Sequence, residues 1–452
     1  MEEDRLKKNL KNRHIQMIAI GGAIGVGLFY GSADAIKIGG PSIILAYLLG
    51  GFFVFLIMRA LGELAVDNPN SGSFSAYATQ YLGRFAGFFS GWTYWFQCIL
   101  TVMAELTAVG VYVQFWLPAF PKWITALIFL SILIIINLIG VKTYGEFEFW
   151  FALVKVVAII CMIIFGLLII FFGFFNGGHA AGLSNLWTNG GFFANGFSGF
   201  LMAFTFVTFA FGGVELIGIT AGEAENPKKS IPKAINNVFW RILIFYVGSI
   251  FVMLALYPWN KIGVNGSPFV LVFSKVGIPE AAAVINFVIL TAALSGMNSA
   301  LYVDGRMLYS LALNNNAPKI FAKVSKSGVP YVGILFSSAV AAIAVILNYF
   351  VPGKVFTYIS SVTTIAILTA WGTILITQLK FRKEKLQSGG KIDFKMPFYP
   401  VSSYITIIYL VLIVISLGFL SGTRVALYVA PIWVLCLVVM YKLLIREERK
   451  SN

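Results

Sequence analysis

The stretch Ile18-Ala19-Ile20-Gly21-Gly22-Ala23-Ile24-Gly25-Val26-Gly27-Leu28-Phe29-Tyr30-Gly31-Ser32 is apolar enough to enter a bilayer, yet it carries five glycines between residues 21 and 31. Each glycine costs a helix roughly 1 kcal/mol relative to alanine, so an unbroken helix is a poor solution here. In lipid an opened backbone needs partners, and a break survives only where protein or a cavity supplies them. The free N–H groups of such a break favour an anion and its unwound carbonyls favour a cation. An amino acid zwitterion offers both charges. The competing reading is a face of small residues against which another helix packs closely.

Composition sets the surroundings of this stretch. Of 452 residues, 59% are hydrophobic and only 11% charged, against a charged share of about 25% in soluble domains. The expected class is an all-α polytopic membrane protein. A crossing takes about 20 apolar residues, and twelve stretches qualify: 15–37, 41–64, 85–113, 122–140, 147–174, 194–221, 238–257, 280–312, 331–350, 354–379, 400–420 and 425–444. No segment between them is long enough for a separate soluble domain. The charged start, Met1-Glu2-Glu3-Asp4-Arg5, is not a secretory leader.

The net charge of +15 would fit a nucleic-acid partner if it were spread over a globule, but it is segregated. Basic residues crowd the tails and alternate loops, at Lys7, Lys8, Lys11, Lys228, Lys229, Lys233, Lys319, Lys323, Lys383, Lys385, Arg446 and Arg449. The opposite loops hold few, such as Lys37, Lys122, Lys261 and Arg424. That asymmetry is the positive-inside pattern and puts both termini in the cytoplasm. The expected partner of the surface is the lipid bilayer, with no nucleic acid. Three cysteines, Cys98, Cys161 and Cys436, fall in apolar spans without metal or redox spacing and read as packing residues; two histidines leave little for zinc or acid–base catalysis. No metal or cofactor is expected.

Within the spans, ionisable residues stand out because they are expensive in a membrane and mark function by default. The third span holds Gln97 and Glu105, the latter either a site residue or a side chain reaching the outer interface. The fifth holds Lys155 in a wholly apolar run, at a depth of roughly 12 Å by helical rise. It either snorkels or is held in the bundle by carbonyls of a broken helix. At the end of the second span Arg59 and Glu63, four apart, are expected to pair. The loop Asp67 to Tyr77 is rich in turn formers and is expected to lie along the membrane surface near a gate.

The sixth span repeats the opening theme: Phe209-Ala210-Phe211-Gly212-Gly213-Val214-Glu215 is apolar, glycine-interrupted and followed by an acid. Two breaks, each at the start of five spans, are the sign of an inverted repeat whose breaks meet near the midplane. The expected organisation is a tail at 1–14, a first repeat at 15–175, a second at 194–379, two extra helices at 400–444 and a tail at 445–452.

Arg13-His14-Ile15-Gln16, Gly25-Val26-Gly27-Leu28-Phe29, Gly145-Glu146-Phe147-Glu148-Phe149-Trp150-Phe151-Ala152-Leu153-Val154-Lys155, Glu223-Ala224-Glu225-Asn226-Pro227-Lys228-Lys229 and Asn298-Ser299-Ala300-Leu301-Tyr302 give the chain, over nearly its whole length, a specific likeness to a known family. It resembles bacterial amino acid permeases of the amino acid–polyamine–organocation superfamily. Some motifs are similar to aromatic amino acid permeases and others to proline and histidine permeases. The resemblance implies the leucine transporter fold and proton-driven uptake of a neutral or weakly basic L-amino acid across the inner membrane. It also implies a site at Ala23, Ile24, Gly25, Val26, Gly27, Gln97, Phe209, Phe211, Gly212 and Gly213. There the substrate carboxylate lies on the amides of Val26 and Gly27, and the ammonium on carbonyls of Ala23, Phe209 and Gly212. Lys155, Glu215 and Glu105 are the candidate proton-coupling groups, with Ser295 and Ser299 within reach of Lys155. An exchanger of the same fold is the rival reading. A membrane enzyme lacks its polar catalytic cluster.

Overall fold

Apolar segments in lipid must satisfy their own backbone hydrogen bonds, and helices do so within one segment. The computed structural model describes residues 24–451 apart from 71, 140, 175–176, 221–226, 264–265, 276–278 and 352, and among these residues it contains helices and turns but no strand. The tail at 1–14, the first part of the opening span with Ala23, and Glu223 lie outside the described residues.

The first broken segment gives α1 (Val26–Phe29) and α2 (Gly31–Gly39), followed by α3 (Ile43–Asp67), α4 (Ser73–Leu82), α5 (Arg84–Gln114), α6 (Lys122–Ile139) and α7 (Val141–Phe172). The second broken segment gives α8 (Gly196–Ala210) and α9 (Leu216–Thr220). Then α10 (Pro227–Arg241) runs through a π-helical stretch, Ile242–Gly248, into α11 (Ser249–Leu256), and α12 (Pro268–Lys275) precedes α13 (Pro279–Leu313). The chain ends in α14 (Tyr331–Ala341), α15 (Ile343–Phe350), α16 (Val355–Gln387), α17 (Val401–Ser416) and α18 (Val425–Ser451). Nine helical segments among the described residues are long and apolar enough to cross a membrane, and Gly196–Ala210 and Val401–Ser416 are shorter apolar helices.

Burial orders these helices around an axis. In α5, 78% of the most apolar window is covered by protein, against 6% in the last segment, Val425–Ile445. Helix α5 is therefore the centre, and α18 lies on the outside of the bundle. Around α5 pack α13, α16 and α4, while α13 also packs on α7 and α8 packs on α2 and α16. Both breaks are thereby held against the central helix.

Three expectations change. Glu63 pairs with Arg382 on α16 at 3.2 Å and also accepts from the Met396 amide at 2.7 Å. Arg59 instead donates to Asn236 and the Lys395 carbonyl and lies over the Phe394 ring. Tertiary partners win because Glu63 is buried and three donors converge on it, Gln378 being the third. The segment after Asp67 does not lie on a surface: α4 packs on α5 and α16, with Phe74, Ser75, Tyr77 and Ala78 buried. Of the cysteines only Cys98 is buried; Cys161 and Cys436 are exposed on the outside of the bundle.

Candidate functional site

The first break leaves Ile24 and Gly25 unwound ahead of α1, with Gly25 in extended backbone. Its two kinds of backbone group face opposite charges. The Val26 amide donates to Glu105 Oε1 at 3.1 Å, and the Ile24 carbonyl accepts from Lys155 Nζ at 3.1 Å. Glycine makes this possible, because an ideal Cβ at Gly25, or at Gly296 on α13, would fall 2.7 Å from Glu105 Oε1. The amide expected to meet a substrate carboxylate thus holds one of the protein's own.

The second break is the turn Phe211–Glu215 between α8 and α9, where Gly213 takes φ +97, a backbone region that suits glycine. Glu215 closes the turn. Its Oε1 accepts from Gln97 and, at 3.2 Å, from the Gly213 amide, and its Oε2 accepts from Trp371 on α16 at 3.3 Å. The two breaks touch directly: a Cβ added to Gly27 would lie 2.4 Å from the Ala210 Cα.

Between the breaks is a cavity. It brings together Gly25, Val26, Gly27, Gln97, Glu105, Phe209, Gly212, Gly213 and Glu215, with Tyr94, Cys98 and Thr101 of α5, Gly296, Ser299 and Ala300 of α13, and Ile367 of α16. Beside the lining residue Phe209 the rings pair: Phe209 meets Phe356, the Tyr30 ring meets Phe356 at 4.6 Å, and Phe29 meets Phe269 at 5.2 Å. Phe211, expected among the lining residues, is not there. Its ring packs on Tyr47 and Tyr246, because the turn aims it at α3 and the π-helical stretch rather than inward. Ile24 contributes only its carbonyl, to Lys155.

Lys155 does not snorkel. It is fully buried, and its ammonium also donates to Ser295 Oγ on α13 at 2.9 Å. Ser295 in turn donates to Glu148 Oε1 at 2.6 Å. Glu148 and Lys155 are seven residues apart on α7, hence on one face. The ammonium therefore joins three elements: the first break, α7 and α13. Glu148 escapes a reading of the sequence because it sits at the edge of its apolar span, two residues from Glu146, where an acid looks interfacial. Cys98 and Gly296 escape it because small residues in an apolar helix carry no sign of which face they occupy. Among the described residues no three His, Cys, Asp or Glu side chains form a metal site.

Residues 14–452 match the model of the family described as Amino acid permease. The chain belongs to the amino acid permease family. Three relatives align with it almost end to end. It is 51% identical to the amino-acid permease AapA of Bacillus subtilis over 99% of this chain and 97% of the relative. It is 50% identical to the probable threonine/serine transporter YbxG of the same organism, over 98% and 96%. It is 48% identical to the aromatic amino acid transport protein AroP of Escherichia coli O6:H1, over 97% and 96%. The permease is thus a multi-pass membrane transporter of amino acids and, in keeping with these relatives, not an enzyme.

Proposed function

We propose that this permease imports a neutral or weakly basic L-amino acid with a proton across the inner membrane by alternating access, with both termini cytoplasmic. In this reading residues 15–175 and 194–379 form the two inverted repeats, and the cavity between the breaks is the substrate site. Relatives named for aromatic amino acids and for threonine and serine support a neutral side chain. The substrate ammonium meets the carbonyls of Phe209, near the end of α8, and Gly212, in the turn. Its carboxylate meets the amides of Val26 and Gly27, in competition with Glu105.

The observation that carries proton coupling is the position of Lys155. Protonated, it bridges the Ile24 carbonyl and Ser295; deprotonated, it has one lone pair and fewer donors, so the bridge between the first break and α13 loosens. A proton drives such a cycle only by binding one conformation more tightly than the other.

The test is uptake into proteoliposomes under an imposed acid-outside gradient, after competition among all twenty amino acids has identified the substrate. Wild-type protein should accumulate it, and Lys155→Ala should lose accumulation while keeping counterflow. Lys155→Arg, which holds its charge, should stall. Accumulation by Lys155→Ala at the wild-type level would remove Lys155 from coupling, and counterflow without any gradient-driven uptake in wild type would make the permease an exchanger.

A further inference from the structure

Helix α13 carries a carboxylate that the proposed cycle does not use. Asp304 is 0% exposed, and among the described residues neither Oδ1 nor Oδ2 has a hydrogen-bond partner. Other buried acids near the cavity are served: Glu215 by three donors, Glu105 by the Val26 amide, Glu148 by Ser295. Asp304 lies one turn beyond Ala300 and two beyond Gly296, both of which line the cavity. Residues four apart share a helix face, so Asp304 continues the cavity-facing stripe by about 6 Å toward the end of α13. Across from it on α5 stand Tyr94 and Cys98, which lie in the fields of both Asp304 and Glu215.

Among the described residues, none supplies Asp304 with a cation. From α7, Lys155 is engaged with Ile24 and Ser295 and faces Glu148. On α13 itself, Arg306 stacks its guanidinium 3.5 Å over the Tyr302 ring. Tyr331 on α14 and Lys319 in the turn before it are exposed. From the second break comes only Glu215, another acid. An ionised carboxylate in this position, with no donor and no solvent, costs several kcal/mol. A neutral carboxylic acid costs far less there.

We infer that Asp304 is a proton-binding site on the path from the cavity to the cytoplasm. The inference rests on the proton-coupled reading above. Asp304 is not among the residues that line the cavity, which favours a proton over a substrate side chain as its ligand. On loading, a hydronium ion in the cavity gives up a proton: one of its O–H bonds breaks, leaving water, as the O–H bond of Asp304 forms. When the inner half opens, water hydrates the carboxyl group, that bond breaks, and the proton leaves as hydronium while the carboxylate stays hydrated.

The test uses full-length protein in proteoliposomes with a radiolabelled mixture of the twenty protein amino acids, comparing wild type, Asp304→Asn and Asp304→Glu. Asparagine has the shape of the protonated acid but cannot release its proton. Asp304→Asn should keep counterflow within about twofold of wild type yet lose gradient-driven accumulation at least tenfold, and Asp304→Glu should recover part of it. Wild-type accumulation and an unchanged pH profile in Asp304→Asn would overturn the inference. So would a parallel loss of counterflow in Asp304→Asn while Asp304→Glu restores both, since that marks a substrate contact. Absence of gradient-driven uptake in wild type itself would instead bring down the proton-coupled reading, and this inference with it.

Discussion

At the scale of single residues, the site depends on a glycine of α13 that the substrate reading does not use. A methyl group at Gly296 would meet Glu105 Oε1 at 2.7 Å, so the carboxylate must shift, and its bond to the Val26 amide is strained. Gly296→Ala should lower uptake at least tenfold without unfolding the protein, and adding Glu105→Asp, one methylene shorter, should recover part of the loss. Wild-type uptake by Gly296→Ala would show that the Glu105–Val26 bond is dispensable. Further along the same helix, Ser295→Ala removes the hydroxyl between Lys155 and Glu148. Accumulation should fall more than counterflow, which the two assays on one preparation would reveal. Glu105, Glu215 and Lys155 were legible in the sequence because each interrupts an apolar run. Asp304, two residues before Arg306 near the end of its span, was not singled out, because an acid beside a base there looks interfacial. The direction of Phe211 was not legible, since it follows from the dihedral angles of a turn around Gly213 that no periodicity encodes.

At the scale of elements, the contact between α1 and α8 is backbone against backbone. Gly27→Ala alone, without any larger side chain, should therefore separate the breaks, lower the melting temperature by several degrees and abolish uptake. Gly372 in the middle of α16 has open space around its Cβ position. Gly372→Ala should leave uptake unchanged and stabilise the helix by about 0.5–1 kcal/mol, so thermal unfolding of the two variants should shift in opposite directions. The breaks themselves were readable from glycine content in apolar runs. The fate of α4 was not, because an aromatic segment after a turn reads alike whether it meets headgroups or α5 and α16. Only the helices that cover it decide.

At the scale of the molecule, one buried ion pair fastens helices far apart in sequence. Glu63 is 0% exposed and Arg382 12% by side chain, and removing one partner of such a pair costs about 3–5 kcal/mol. Glu63→Ala and Arg382→Met should each lower thermal stability markedly, and the double variant by much less than the two added together. Additive losses would argue against the pair. The neighbouring Lys385–Asp67 bridge, with side chains 30% and 24% exposed, is worth about 1 kcal/mol or less, and Asp67→Asn should hardly change stability. Lipid leaves a chain few solutions, which is why hydropathy alone announced an all-α polytopic chain. A pair spanning more than 300 residues of sequence leaves no local trace. The closeness of Gly27 to Ala210 has a mechanical consequence. With no side chain between them to roll or yield, α1 and the end of α8 have no room to slide past each other, so they travel as a single lever and the hinge must lie elsewhere. Probes on these two segments should keep a constant separation throughout turnover, and all the travel should register against α5.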